Sequence, residues 1–173
     1  MAMKTLILPG FSPKNKEWAL DTKSYLDKLS EDVEVITWKH WEQGSTEEGW
    51  IELEADRILK SIRGTSVNII AKSIGIVVTM VILKSHPELV NKLILCGIPL
   101  RDLADQGRLY YEPLKLFPVH KLLCLQNEAD NHGGYSEVSE FVHTLNPAIS
   151  IKSCDRADHE YPYPEIFTAF LQA

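Results

Sequence analysis

The chain has 173 residues, of which 45% are hydrophobic and 24% are charged, and this length and composition suit a single folded domain with a sizeable core. Its net charge is −6 and its basic residues are scattered, which argues against a surface for nucleic acid or anionic membranes. No run approaches the ~20 apolar residues of a membrane span, and the short apolar run near the N-terminus does not make a signal peptide, so we expect a cytoplasmic protein.

The first half of the chain alternates short apolar runs with helical patterns. Pro9 and Gly10 end the first apolar run, as is typical after a buried central strand, and Gly64 is placed to cap a helix at its C-terminus. The sequence predicts, in order, a strand at residues 5–8, a helix at 14–29, a strand at 33–38, a polar loop at 39–49, a helix at 47–63 and a strand at 67–71.

The second half repeats this alternation with one irregular stretch. Residues 98–120 show no clear periodicity and contain three prolines, so we expect a loop with room for one short helix. The remaining predicted elements are a helix at 74–85, a strand at 92–96, a strand at 121–126, a helix at 136–145, a more exposed strand at 149–154 and a helix at 164–171.

Alternating helices and continuously apolar strands predict one parallel sheet with helices on both faces. In such sheets ligands bind beyond the carboxyl ends of the strands. Residues that directly follow a predicted strand are therefore the candidates for a functional site.

Ser73 lies in the most informative of these turns, between a predicted strand and a predicted helix. Small residues stand two positions to either side, giving Ala71-Lys72-Ser73-Ile74-Gly75. The pattern is close to the Gly-x-Ser-x-Gly elbow, in which a strained turn holds a serine hydroxyl clear of the sheet. The small flanking residues have a physical reason, since a bulky side chain would collide with the neighbouring strand or helix.

Two later turns could supply the partners that a serine nucleophile needs. Asp130 follows the predicted strand 121–126, and His159 follows the last predicted strand. An imidazole can take the serine proton, and a carboxylate can orient the imidazole and stabilise its charged form. Two backbone amides could bind an oxyanion, that of Ile74 at the start of the helix and that of Phe11 after the Gly10 turn.

These motifs resemble those of the α/β-hydrolase superfamily, and the resemblance covers nearly the whole chain. The matching segments are Leu8-Pro9-Gly10-Phe11, Ala71-Lys72-Ser73-Ile74-Gly75, Asn127-Glu128-Ala129-Asp130 and Ala157-Asp158-His159. The resemblance implies a three-layer αβα sandwich with a mostly parallel six-stranded sheet of order 2-1-3-4-5-6, lacking the first two strands of larger members. It implies one domain over residues 1–173, with residues 98–120 as a short insertion where larger members carry a cap.

The sequence departs from the family pattern in two motifs and in that insertion. Pro9 stands where many members have histidine, and Ala71 replaces the first glycine of the elbow. A cap of only residues 98–120 implies a shallow or loosely covered site, which argues against long-chain lipase activity.

Other assignments of the acid remain open at this level. Asp102, after the fourth predicted strand, and Glu128 are alternatives to Asp130. Asp155 and Asp158 precede His159 closely and are better placed to stabilise its loop. Lys72 invites a serine–lysine dyad, but neighbouring side chains in a sharp turn point apart, so we expect a solvated lysine.

Four aromatic residues fall in predicted loops at the same edge and could line an apolar acyl pocket, although ordinary packing explains each equally well: Trp41, Tyr110, Tyr111 and Phe117. The three cysteines have no Cys-x-x-Cys spacing and end apolar runs, so we expect buried, reduced thiols. The histidines show no metal-ligand spacing and there is no phosphate-binding loop, so no metal or cofactor is expected.

The expected function is that of a serine hydrolase cleaving a small carboxylic ester or thioester, with Ser73, His159 and Asp130 as the triad. An amidase or acyltransferase on the same scaffold, and a non-catalytic binding protein, are the alternatives, because a fold does not fix a substrate. The expected partner is a small molecule, without nucleic acid or membrane, and the sequence leaves the oligomeric state open.

Overall fold

A computed structural model describes residues 3–29 and 32–173. Among these residues it contains six strands, close to the six that the sequence predicts. They are β1 (Lys4–Leu8), β2 (Asp32–Val35), β3 (Val67–Lys72), β4 (Val90–Cys96), β5 (Leu122–Asn127) and β6 (Ile151–Cys154).

The strands form one parallel sheet in the order β2-β1-β3-β4-β5-β6, which confirms the predicted topology. Strand β3 lies near the centre, where Ile70 pairs with Ile7 of β1 on one side and with Ile94 of β4 on the other. All six strands run the same way, so the turns that follow them meet at one edge of the sheet.

Helices cover both faces of the sheet, so the molecule has three layers. The helices are α1 (Asn15–Asp27), α2 (His40–Gln43), α3 (Trp50–Ile62), α4 (Ile74–Ser85), α5 (Tyr135–Leu145) and α6 (Pro164–Gln172). Residues of α3, α4 and α5 share one apolar core with Leu6, Ile69 and Leu93. Residues of α1 and α6 share the other with Ile7 and Ile70. Adjacent strand residues thus face opposite cores, which is why these strands are continuously apolar.

Strand β2 is shorter than the predicted strand at 33–38. The amide of Ile36 still donates to the carbonyl of Ile7 at 2.9 Å, but the chain then leaves the sheet. The indole Nε1 of Trp38 donates to the carbonyl oxygens of Pro9 and Gly10 at 3.3 and 3.1 Å. The buried tryptophan therefore ties the turn after β1 to the segment after β2, and α2 occupies part of the predicted polar loop.

The stretch 98–120 is more ordered than a loop with one short helix. It contains three 3₁₀ helices, Leu100–Asp102, Asp105–Lys115 and Val119–Lys121, and the long one packs against α4 and α5. The stretch has to cross from the carboxyl end of β4 to the amino end of β5, as every parallel connection does. Pro113 lies inside the long 3₁₀ helix and lacks the amide hydrogen that an α-helix needs there.

No helix in the described ranges is both long enough and apolar enough to cross a membrane.

Candidate active site

Ser73 sits in a sharp turn between β3 and α4, the local structure that the sequence predicts. Its backbone has φ 55° and ψ −121°, a conformation that non-glycine residues seldom adopt. Its amide donates to the carbonyl of Cys96 at 3.1 Å, which fixes the turn to the end of β4. A serine held in this way presents its side chain above the edge of the sheet.

The glycine of the motif permits a close approach between α4 and the end of β1. A Cβ built on Gly75 would lie 2.3 Å from the carbonyl oxygen of Leu8 and 2.8 Å from that of Pro9. Both neighbours are backbone atoms and cannot turn aside. The collision that the sequence suggests for a larger residue at this position is therefore real.

Asp130 and His159 come from the turns after β5 and β6 and are hydrogen-bonded to each other. Nδ1 of His159 lies 2.7 Å from Oδ2 of Asp130, which is completely buried. Since an ionised carboxylate only accepts hydrogen bonds, Nδ1 carries the proton, and Nε2 of the neutral ring is an acceptor. Nε2 is buried and has no hydrogen-bond partner among the described residues, Ser73 included.

The carboxylate of Asp130 also accepts two further hydrogen bonds. The hydroxyl of Tyr161 donates to Oδ2 at 2.6 Å, and the amide of His132 donates to Oδ1 at 2.8 Å. Burial acts to raise the pKa of Asp130, but the hydrogen bonds from His159, Tyr161 and His132 outweigh burial and hold that pKa below its ordinary value. Asp130 is therefore an anion at neutral pH.

Gly97 lets the histidine loop lie over the end of β4, beside Ser73. Gly97 has φ 71°, and a Cβ built there would lie 2.5 Å from the ring of Tyr161 and 2.9 Å from Cε1 of His159. Gly97 directly follows Cys96, whose carbonyl accepts from the Ser73 amide. The imidazole of His159 and the serine turn thus lie above the same part of the sheet.

The turn that carries the Phe11 amide is held from outside by two aromatic side chains. The carbonyl of Phe11 accepts from Nε2 of His40 at 2.9 Å and from Nε1 of Trp41 at 2.7 Å. The Phe11 ring stacks on His40 with 4.5 Å between centroids. The backbone amide of Phe11 is expected to bind an oxyanion together with the amide of Ile74, the first residue of α4.

The alternative acids have other surroundings. Asp102 pairs with a different histidine, its Oδ2 lying 2.6 Å from Nδ1 of His132. Glu128 is exposed, and its amide donates to the carbonyl of Cys154. Asp158 forms an ion pair with Arg156, and Asp155 is exposed.

Lys72 is not the solvated lysine expected from the sequence. Only 1% of its side chain is exposed, and Nζ donates to Asn15 at 2.8 Å and to Glu160 at 2.9 Å. Nζ also lies 5.5 Å from the ring centroid of Trp18. The side chain lies on the face of the sheet that α1 covers, where Asn15 and Trp18 are found. It connects the end of β3 to the residue that follows His159.

The four candidate pocket aromatics lie in different surroundings. Trp41 contacts Phe11, whereas the hydroxyl of Tyr110 donates to Glu52 at 2.8 Å. Tyr111 is fully buried, and its burial raises its pKa well above the ordinary value. Phe117 lines a cavity of about 760 Å³ together with Leu83 at the end of α4 and Val90 at the start of β4, and neither Ser73 nor His159 lines it. A substrate-binding role for these four residues stays a prediction.

Sequence reasoning missed the residues that hold the histidine loop in place. The side-chain amide of Asn127 donates to the carbonyls of Asp158 and Glu160 at 2.8 and 2.7 Å, one on each side of His159. The backbone amide of Asn127 donates to the hydroxyl of Tyr161 at 3.1 Å. Asn127 opens one of the quoted motifs and Tyr161 stands two residues beyond another, but these contacts join parts of the chain more than 30 residues apart, and no local pattern reveals them.

Cys96, Cys124 and Cys154 are free and buried, as the sequence predicts. Burial raises the pKa of Cys124 to about 12, so this thiol stays protonated at neutral pH. Within residues 3–29 and 32–173, no group of three or more histidine, cysteine or acidic side chains is arranged to hold a metal ion.

The sequence matches no model of a known protein family and no curated protein. Its structure, in contrast, is similar to many solved structures. An α/β serine hydrolase homologue from Coxiella burnetii gives a TM-score of 0.75 at 13% identity, over 99% of this chain and 85% of that one. An α/β-hydrolase enzyme from the metagenome of lagoon sediments at Mar Chica, Morocco, gives 0.69 at 16% identity, over 99% and 90%. Mouse alpha/beta hydrolase domain-containing protein 10 gives 0.69 at 13% identity, over 98% and 88%.

At identities of 12–16%, these similarities show the fold of the chain and do not show which reaction it catalyses. The all-parallel sheet, its strand order and the helices on both faces agree with these neighbours over almost the entire chain. The protein has the α/β-hydrolase fold.

Proposed function

We propose that the protein is a serine hydrolase that cleaves a small carboxylic ester or thioester. The observation that carries the proposal is the hydrogen bond between His159 Nδ1 and the buried Asp130, which leaves Nε2 as a free acceptor above the end of β4. The strained turn of Ser73 is anchored to the same strand. In His159, Nδ1 is held by a carboxylate and Nε2 is free to accept a proton from Ser73, which suits nucleophilic catalysis.

The reaction starts when Oγ of Ser73 attacks the acyl carbon and its proton moves to Nε2 of His159. Asp130 stabilises the imidazolium that forms, and the amides of Phe11 and Ile74 donate to the oxyanion. The tetrahedral intermediate collapses, the alcohol or thiol leaves with the proton from Nε2, and an acyl-serine remains. His159 then takes a proton from water, the hydroxide attacks the acyl carbon, and the acid is released as Ser73 regains its proton.

A small substrate is favoured by the course of the stretch 98–120. The longest part of that stretch packs against α4 and α5, on one face of the sandwich. Phe11, which is 51% exposed, offers an apolar contact beside its own amide, one of the two expected oxyanion donors. A long acyl chain needs an enclosed apolar tunnel to be desolvated, and three cavities found among the described residues are lined by neither Ser73 nor His159, so a short acyl group is favoured.

Covalent labelling tests the nucleophile directly. A fluorophosphonate probe should label the wild-type protein and fail to label Ser73→Ala, because the probe reacts only with an activated serine. His159→Ala should label at a rate lower by at least two orders of magnitude. Ser24→Ala, an exposed serine on α1, is the matched control and should label like the wild type. An unlabelled wild type would favour a non-catalytic binding protein, and labelled Ser73→Ala would place the nucleophile elsewhere.

A substrate panel tests the acyl and leaving groups. We expect p-nitrophenyl esters and matched thioesters to give kcat/KM values that fall as the acyl chain grows from two to about twelve carbons, because a long chain without an enclosing apolar tunnel stays in contact with water. Anilides of the same acids are the control for the amidase alternative. A preference for long chains would contradict the small-substrate assignment, and faster anilide cleavage would reassign the enzyme as an amidase.

A further inference from the structure

The indole of Trp38 is buried against the turn that follows β1. Trp38 is 1% exposed, and its Nε1 donates to the carbonyls of Pro9 and Gly10 at 3.3 and 3.1 Å. The carbonyl of Gly10 and the amide of Phe11 belong to one peptide group, which is trans. In a planar trans peptide the C=O and the N–H point in opposite directions. The hydrogen bond to Gly10 therefore fixes the direction in which the Phe11 amide points.

The next carbonyl of the turn, that of Phe11, is held from the same segment. It accepts from Nε2 of His40 at 2.9 Å and from Nε1 of Trp41 at 2.7 Å. A carbonyl only accepts hydrogen bonds, so His40 carries its proton on Nε2. The three side chains that donate ring N–H groups to this turn, Trp38, His40 and Trp41, are called here the aromatic clamp.

The aromatic clamp is itself fixed to α3. The amide of Lys39 donates to the buried carboxylate of Glu54 at 2.9 Å, and the guanidinium of Arg57 donates to the carbonyl of Thr37 at 2.8 Å. Trp38 lies between these two anchored residues in the chain. Because a helix supports the segment, the aromatic clamp can hold the turn after β1 in one position.

The opposite side of the turn contacts the start of α4. A Cβ built on Gly75 would lie 2.8 Å from the carbonyl oxygen of Pro9, the same oxygen that accepts from Trp38. Gly75 follows Ile74, whose amide is the second expected oxyanion donor. Within residues 3–29 and 32–173, no group accepts from the Phe11 amide. The turn is thus held between the aromatic clamp and α4, and its amide is left to bind an anion.

We propose that Trp38 is a positioning residue for the oxyanion-binding amide of Phe11. Its indole N–H holds the Gly10 carbonyl and so keeps the Phe11 amide aimed at the acyl oxygen as negative charge develops there. His40 and Trp41 hold the following peptide and stop the turn from rotating. The aromatic clamp acts through the backbone and does not touch the substrate. This inference rests on the proposed function.

A positioning role in an oxyanion site has a kinetic signature. Removing one oxyanion donor costs ~100- to 1,000-fold in kcat, and an amide that is only misaligned should cost less. The bound ester gains little from this amide before the oxyanion forms, so KM should change little. A residue that merely stabilises the fold would instead lower the amount of active protein.

Three tryptophan-to-phenylalanine substitutions test the inference on a p-nitrophenyl ester of a short acid. Trp38→Phe keeps an aromatic ring but removes the N–H, so we expect kcat to fall by roughly 10- to 100-fold with KM within about threefold of the wild type. Trp41→Phe should lower kcat only a few-fold, because the Phe11 carbonyl keeps its bond from His40. Trp50→Phe is the matched control and should leave kcat unchanged, since the Trp50 ring packs against Trp38 and Phe11 but takes part in none of these hydrogen bonds.

Two further measurements separate positioning from folding. Labelling to completion with the fluorophosphonate counts the active sites, and kcat is expressed per labelled site. A trifluoromethyl ketone adds to Ser73 and forms a tetrahedral oxyanion, so its inhibition constant should rise by about the factor by which kcat/KM falls. A wild-type kcat or an unchanged inhibition constant in Trp38→Phe would overturn the inference. If Trp38→Phe does not fold, equal kcat values for Trp41→Phe and Trp50→Phe would overturn it.

Hydrogen exchange tests the Trp38 hydrogen bond apart from catalysis. In the Ser73→Ala protein, the indole N–H of Trp38 should exchange with heavy water much more slowly than that of Trp50, because it is buried and bonded. Fast exchange would overturn the inference and leave the proposed function standing. Slow exchange in a protein whose wild type hydrolyses no ester and takes no probe would overturn the proposed function, and the inference with it.

Discussion

Asp130 is the residue on which the polar part of the site converges. Its buried carboxylate accepts from His159, Tyr161 and the His132 amide, which come from two different loops. Ionised carboxylates are rarely buried without such compensation. The same contacts that would orient a catalytic imidazole therefore also contribute to the stability of the fold.

The lowered pKa of Asp130 predicts a pH-dependent contribution to stability. Its folded-state pKa lies below the ordinary 3.8, so the contribution is fully present above about pH 4 and is lost as the pH falls through the folded-state pKa. Asp130→Asn should lower the free energy of unfolding by ~1–3 kcal/mol at pH 7, and this difference should shrink towards pH 3. Urea unfolding at a series of pH values measures the difference, and a constant difference would show that the carboxylate charge contributes nothing.

Two glycines, Gly75 and Gly97, allow elements of the fold to approach one another closely. Gly75 brings α4 against the carbonyls at the end of β1, and Gly97 brings the loop after β6 over the end of β4. The second approach could not be read from the sequence, because Gly97 looks like an ordinary strand terminator. Only the packed loop shows which side chains fill the space that a Cβ would occupy.

Gly97→Ala should lower kcat/KM by much more than its loss of folding stability can explain. The added methyl group would push the rings of Tyr161 and His159 away, and a shift of about 1 Å at a catalytic group can cost roughly 100-fold in rate. Gly64→Ala is a matched control, because Gly64 also has a positive φ of 75° but no atom within 4 Å of a built Cβ. Both variants carry the same backbone strain, so the ratio of their kcat/KM values isolates the collision. Equal activities would contradict this role for Gly97.

Through Lys72, strand β3 is connected to the start of α1 and to the loop that carries His159. As the last residue of β3, Lys72 reaches Asn15 at the start of α1 and Glu160. Glu160 follows His159 directly, and Asn127 holds the carbonyls on both sides of that histidine. The histidine loop is thus fixed to β3, β5 and α1.

At the scale of the whole molecule, the two cores on the faces of the sheet hold the turns at a common edge. Leu93 is fully buried in the core shared with α3, α4 and α5, whereas Leu116 in the stretch 98–120 is 92% exposed. Leu93→Ala should lower the free energy of unfolding by ~2–5 kcal/mol, because it leaves a cavity in close-packed surroundings. Leu116→Ala is the control and should change it by less than ~0.5 kcal/mol. Urea unfolding compares them, and similar losses would mean that the stretch 98–120 contributes as much as the sheet.

Sequence patterns alone predicted the six strands to within a few residues, their order through the family resemblance, and the strand–turn–helix context of Ser73. They could do so because apolar periodicity and small residues at a sharp turn are local consequences of backbone geometry. Which acid bonds to which histidine is visible only in the folded chain, since Asp102 and Asp130 both follow strands and each pairs with a different imidazole. Folding also buried Lys72 and brought the ring of His132 against that of His159. Such contacts join residues far apart in the chain, and they are set by how parallel strands bring their carboxyl ends to one edge.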